Sequence, residues 1–127
     1  MQDPERIKFV KNHFKKIIAV DIDNTIAHCP GDYDPNKDYG AYTTPDYTLC
    51  TPIPERIAKI NKLFDEGNYI LYWTARGTVT GINHWELTNK QLLDWGCKFH
   101  KLIVQKPCFD LFIDDRNINS EEFFKDC

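Results

Sequence analysis

Four short apolar runs stand out along the chain: IIAV at 17–20, YILYW at 69–73, KLIV at 101–104 and LFI at 111–113. They are rich in β-branched and aromatic residues and bounded by polar groups, which predicts strands; the first, with no polar interruption, predicts a central strand buried on both faces. Between them the period changes. From Pro54, Ile57, Ile60, Leu63 and Phe64 fall on one helical face, with Gly67 placed to end the helix in a left-handed conformation. Residues 83–95 repeat the pattern with Leu87, Leu92 and Trp95 inward and Gly96 as terminator. Residues 4–15 carry Ile7, Val10 and Phe14 on one stripe of a helix begun by Pro4, and Ser120 is placed to cap a short C-terminal helix holding Phe123 and Phe124.

Strand runs that alternate with helical patterns predict an α/β fold with a central, mainly parallel sheet. Residues 1–16 read as an N-terminal extension helix and 17–127 as a single domain. The periodicity fails between 27 and 53, where Pro, Gly, Asp and Tyr dominate. Long aperiodic segments in compact domains are lids or disordered linkers. Tyrosines 33, 39, 42 and 47 and Leu49 give this one apolar area, so residues 28–52 are read as a lid.

Composition narrows the class. At 127 residues with 42% hydrophobic and 28% charged positions, the chain is long enough for one well-buried core and too short for a second domain. The net charge is −3, and the basic residues are scattered apart from Lys8, Lys11, Lys15 and Lys16, which argues against a broad nucleic-acid face. No apolar run approaches a membrane span, and MQDPERIKFVKN has no signal-peptide core, so a cytoplasmic protein is expected. The five cysteines, 29, 50, 97, 108 and 127, include no CxxC pair, and reduced thiols are expected; dispersed His13, His28, His84 and His100 give no zinc pattern. Oligomeric state is open.

Chemistry gathers at the ends of the apolar runs. IIAV leads into Asp21 and Asp23, YILYW into Thr74, KLIV into Gln105 and Lys106, and LFI into Asp114 and Asp115. In open parallel sheets ligands bind beyond the carboxyl ends of the strands, so these groups would converge. A lone DxD after a strand is ordinarily a turn whose acids bind backbone amides. Two acidic pairs brought to one sheet edge repel unless a cation lies between them, and oxygen-only ligands point to Mg²⁺.

On these motifs the chain resembles the haloacid dehalogenase superfamily of phosphohydrolases. DIDNT at 21–25 matches the DxDxT motif, Thr74 the second motif, Lys106 the third and IDD at 113–115 the acidic fourth, in order across residues 17–119. The resemblance implies a Rossmann-like three-layer sandwich without a separate cap domain. It also implies a phosphatase acting on a small phosphorylated substrate, a sugar phosphate foremost. Asp21 would be the nucleophile and Asp23 the general acid and base. Thr74, the backbone amide of Ala75 and Lys106 would bind phosphate. Mg²⁺ would be held by Asp21, the carbonyl of Asp23 and Asp114, with Asp115 in support. WTARG, QLLDWG, QKPCFDLFIDDRN and EEFF are similar to short capless members associated with bacterial surface-polysaccharide synthesis.

Three departures are visible, the first being size, since the chain has no room for the cap domain that many members insert. Asn24 stands where the family often has Gly, and residues 105–110 alone join the last two apolar runs, although a parallel crossover takes a dozen or more. Lys90 and Lys101 are alternative phosphate ligands. Competing readings are a phosphotransferase or mutase, a polynucleotide or nucleotide phosphatase using the tyrosines for stacking, a receiver domain, and a catalytically silent module; the receiver places its acids in a different strand order, and a P-loop is excluded because GxxxxGK[ST] is missing.

Overall fold

The computed structural model of the chain describes residues 3–30 and 46–127. Its elements follow the predicted order through most of the length. Helix α1 spans Pro4–His13: the Asp3 side chain accepts from the Glu5 amide at 3.0 Å, and Pro4 opens the first turn where its missing N–H costs nothing. The helix stops short of residue 15 because Phe14 turns extended, and its ring then meets Tyr69 and His100 edge-on.

Strand β1 (Ile17–Val20) leads into a tight loop and a two-residue strand, β2 (Ala27–His28), which pairs antiparallel with β3 (Thr51–Pro52). Helix α2 (Pro54–Asp65) then returns the chain to β4 (Tyr69–Trp73). Helix α3 (Trp85–Asp94) leads to β5 (Lys101–Ile103), and α4 (Ser120–Phe123) closes the described fold. Gly67 and Gly96, both at positive φ, end α2 and α3 as expected.

The sheet has the order β1-β4-β5, parallel throughout, with Ile17 opposite Tyr69 and Leu71 opposite Lys101. Side chains of alternate residues serve its two faces. Ile18, Val20, Ile70, Tyr72 and Leu102 pack against Ile57 and Ile60 of α2, Leu92 of α3 and Phe124 beyond α4. On the other face Tyr69 and Leu71 pack with Val10 and Phe14 from the α1 region. The protein is therefore α/β with helices on both faces of a parallel sheet.

Three expectations need correction. LFI at 111–113 is not a strand: residues 107–119 are exposed throughout, with Leu111 74% and Ile113 86% accessible. Local hydrogen bonds compete with strand pairing here, since the Asp114 carboxylate accepts from the Arg116 amide at 3.3 Å and the Asp114 carbonyl accepts from the Asn117 side chain. As a second consequence β1 lies at an edge of the described sheet, with Ile17 and Ala19 exposed rather than buried on both faces. Third, Cys29 and Cys50 are disulfide-bonded rather than reduced, because the β2–β3 ribbon brings their Cα atoms to 4.2 Å. Smaller shifts shorten the predicted 83–95 helix at both ends, to Trp85–Asp94, and the 101–104 strand by one residue. Most of the expected lid at 28–52, including Tyr33, Tyr39 and Tyr42, lies outside the described residues.

Candidate functional site

The site begins where β1 ends. Ile22 and Ile26 are completely buried and anchor the turn between them, with the Ile22 carbonyl accepting from the amides of Thr25 and Ile26 at 3.1 and 3.0 Å. Burying these two side chains forces the residues between and before them toward the rim of the sheet. Asn24 takes a left-handed conformation (φ 59°), which Asn tolerates better than most residues, and its amide bonds the Ala27 carbonyl at 2.7 Å. The turn presents Asp21 and Asp23 at the carboxyl end of the sheet.

Asp21 is engaged by Lys106, which was expected near it, and by Thr25 of its own motif. Lys106 Nζ lies 3.3 Å from Asp21 Oδ1, although the two are 85 positions apart, and the Thr25 hydroxyl donates to Oδ2 at 3.1 Å. Parallel pairing of β4 and β5 makes this meeting possible. The Thr74 amide continues the pairing to the Ile103 carbonyl at 3.0 Å, and the Lys106 amide bonds the Thr74 carbonyl at 2.9 Å. Gln105 crosses between them at φ 61°.

Asp23 is held from behind by a residue that sequence reasoning missed. The Arg76 side chain is wholly buried, and its Nη2 and Nε donate to Asp23 Oδ1 at 2.8 and 3.1 Å, with Nε also 3.2 Å from Oδ2. Its Nη1 donates to the Thr88 hydroxyl at 3.1 Å and to Gln91 Oε1 at 2.6 Å, both on α3. The Tyr47 ring covers the guanidinium at 4.5 Å. Burial and the nearby Asp23 charge raise the Tyr47 pKa, Arg76 opposing, so Tyr47 stays a neutral phenol. A buried guanidinium is tolerated only when its donors are met and its charge is paired, and Asp23, Thr88 and Gln91 supply both. Gly77 follows because a Cβ there would collide with the Ile82 carbonyl. The sequence signal was an arginine three positions beyond the end of β4, inside the WTARG run but with no periodicity to assign it a partner.

Thr74 belongs to the same arrangement. It is fully buried, with its hydroxyl donating to Asp23 Oδ2 and accepting from the Arg76 amide, both at 3.3 Å. Ala75 is half-buried beside it. The fallback ligands stand apart: Lys90 pairs with Asp94 on exposed helix surface, and Lys101 sits within β5.

Asp114 lines a cavity of about 590 Å³ together with Asp21, Lys106, Trp73 and Phe112. Asp115 lies in the open, with Arg116 Nε at 3.9 Å. The oxygen donors of Asp21, Asp114 and the Asp23 carbonyl have the chemistry a hard cation such as Mg²⁺ takes. Asp21 and Asp114 face one cavity, which is compatible with that ion. Among the described residues, the side-chain group whose potential ligand atoms lie within 4.8 Å is a different one, Asp23 with Cys29 and Cys50. Arg76 Nη2 reaches those two sulfurs at 4.0 and 3.5 Å, so a cation already occupies that position.

No family model and no curated protein matches the chain. It is similar to a target protein from Vibrio cholerae known from its crystal structure: the two share 24% identity over 87% of each chain, with a TM-score of 0.66. At that identity the likeness bears on the fold alone. No described helix is long and apolar enough to cross a membrane.

Proposed function

We propose that this protein is a Mg²⁺-dependent phosphomonoester hydrolase of the haloacid dehalogenase type, with a Rossmann-like core and a cytoplasmic location, acting on a small phosphorylated metabolite such as a sugar phosphate. The observation that carries the reading is the division of labour between the two aspartates after β1. Asp21 is partly exposed beside a lysine ammonium, while Asp23 is oriented by a buried arginine and a threonine.

A carboxylate is ionised at neutral pH and needs no base to act as a nucleophile. An Asp21 oxygen attacks phosphorus, the bond to the alcohol oxygen breaks, and Asp23, which takes up a proton as the anionic substrate binds, gives that proton to the leaving oxygen. Water then attacks phosphorus of the resulting acyl phosphate, Asp23 takes the water's proton, and inorganic phosphate leaves with Asp21 restored. Lys106, at 3.3 Å from Asp21, stands ready to neutralise charge on the phosphoryl oxygens. Arg76 and Thr74 limit Asp23 to one orientation, which is the condition for efficient proton transfer. Mg²⁺ would be held by Asp21, the Asp23 carbonyl and Asp114, with Asp115 in support, and when bound it supplies further positive charge to the transferring group.

The test is phosphate release from sugar phosphates, nucleotides and 3'-phosphorylated oligonucleotides, with and without Mg²⁺, by the wild type and Asp21→Asn. One substrate class should dominate in the wild type, and Asp21→Asn should lose at least three orders of magnitude in kcat. Normal turnover by correctly folded Asp21→Asn would rule out the covalent route.

A further inference from the structure

The Cys29–Cys50 disulfide lies against the group assigned to proton transfer. Both cysteines are buried, at 8% and 7% accessible, and they flank the β2–β3 pairing. Cys29 Sγ is 3.0 Å and Cys50 Sγ 4.0 Å from Oδ1 of Asp23, the same oxygen that Arg76 engages. A disulfide sulfur carries no proton, so in this state neither approach is a hydrogen bond. A thiol in the same place is a donor.

We propose that Cys29 and Cys50 form a thiol–disulfide exchange site that sets how well Asp23 transfers a proton. The proposal rests on the reading of Asp23 as the acid and base of a phosphatase. A dithiol reductant attacks one sulfur as its thiolate, breaking the Cys29–Cys50 bond and forming a mixed disulfide. Its second thiol displaces the protein sulfur and leaves as a cyclic disulfide, and both cysteines end as thiols. In the reverse direction oxidised glutathione is the acceptor: it takes the two electrons, yields two glutathione thiols, and the protein bond reforms. In a reducing compartment a disulfide of this kind is transient and senses redox state rather than supporting the fold.

Reduction has two consequences for Asp23. Cys29 gains an S–H that bonds Oδ1 in competition with Arg76, drawing the carboxylate toward the ribbon. The ribbon also loses its covalent link and is left, among the described residues, with the Ala27–Pro52 and His28–Thr51 pairs and the Ile53 amide on the Ile26 carbonyl at 2.8 Å, and so short a pairing is weak on its own. Both slow proton delivery to a poor leaving group and spare the phosphoryl transfer from an activated one, which needs no proton; the later attack of water, which uses Asp23, is common to both substrates. Because the thiol–carboxylate bond exists only in the reduced form, the coupling is reciprocal: Asp23 must favour the reduced pair.

The test holds the intact protein at defined ratios of reduced to oxidised glutathione and counts alkylated cysteines by peptide mass, the exposed Cys108 and Cys127 serving as free-thiol references. For an alkyl phosphate and for an activated aryl phosphate, kcat/KM, which reports only the steps through release of the alcohol, is measured at each ratio. The alkyl-to-aryl rate ratio should be at least five-fold higher in the oxidised form. Cys50→Ala, which keeps the Cys29 thiol, should stay at the reduced value whatever the glutathione ratio. Asp23→Asn accepts a weaker hydrogen bond, so its half-oxidation point should move at least three-fold toward more reducing ratios. That shift needs no turnover, so it decides the coupling even if no phosphatase activity is found, an outcome that would defeat only the phosphatase reading. An unshifted half-oxidation point overturns the proposal, as does an equal rate ratio in the two forms of an active enzyme.

Discussion

Asp23 and Asp114 are the same chemical group after two apolar runs of similar look, yet they sit in opposite surroundings. Asp23 lies between a wholly buried arginine, a buried threonine and two buried cysteines, and every one of these is placed by β4, α3 or the β2–β3 ribbon. Asp114 is exposed, in a stretch whose hydrogen bonds run to its own near neighbours. The difference lies in what positions each carboxylate. Asp23 is oriented by interactions formed on folding, and the fold depends on it in return, because Arg76 cannot stay buried without a partner. Asp114 gives the fold nothing that water would not replace.

Removing the arginine should therefore produce the largest effect. Arg76→Ala takes away the pairing of Asp23 and the donors to Thr88 and Gln91, and it should lower unfolding free energy by about 3–5 kcal/mol in urea titrations. Arg76→Lys keeps the charge but not the planar fork and should recover less than half of that loss. A loss under about 1 kcal/mol for Arg76→Ala would mean that the clamp is not closed in solution.

A paired substitution sharpens the comparison further. Ile26→Ala, in the turn behind Asp23, should cost about 2–5 kcal/mol, as for other fully buried aliphatic truncations. Ile113→Ala, just before Asp114, should stay within about 0.5 kcal/mol. If both cost the same, residues 111–113 are buried in solution, and the strand expected from their pattern forms beside the open edge of β1.

That expectation shows where sequence reading reached its limit. YILYW and the 54–65 helix were legible because their patterns match the structure that buries them, IIAV as a strand though not as one buried on both faces, and Gly67 and Gly96 because a helix end needs a left-handed residue. Asp21 and Lys106 were legible as strand-end groups and do meet. LFI has the composition of a strand, but composition does not reveal whether a neighbouring edge is reached across so short a connection. Arg76 and the Cys29–Cys50 pair were illegible for a related reason. A charged residue in a loop reads as solvated, and cysteines separated by 21 positions read as unrelated until the ribbon brings them together.

The two acids also differ in how they should respond to metal. Asp114→Ala should leave the urea midpoint unchanged, because its side chain is exposed, while raising the Mg²⁺ concentration for half-maximal activity by about ten-fold or more. An unchanged Mg²⁺ midpoint alongside lost activity would assign Asp114 to substrate rather than to metal.

The smallest effect belongs to pH and arises within the ordered half. His100 stacks on Phe64 and Tyr69, and its Nδ1 accepts from the Ile70 amide at 3.0 Å, so the ring is neutral on that side. Burial lowers its pKa from the ordinary 6.5. Below pH 6.5 the unfolded chain therefore takes up a proton that the folded chain still refuses. With more protons bound in the unfolded state, stability falls as pH drops from 6.5 toward the lowered folded value, and the contribution is fully present above 6.5. His100→Gln keeps an acceptor for the Ile70 amide and removes the titration. Urea midpoints followed between pH 7.5 and pH 5 should decline less in the variant than in the wild type. Parallel declines would show that other groups carry the acid sensitivity and that the aromatic stack does not hold His100 neutral.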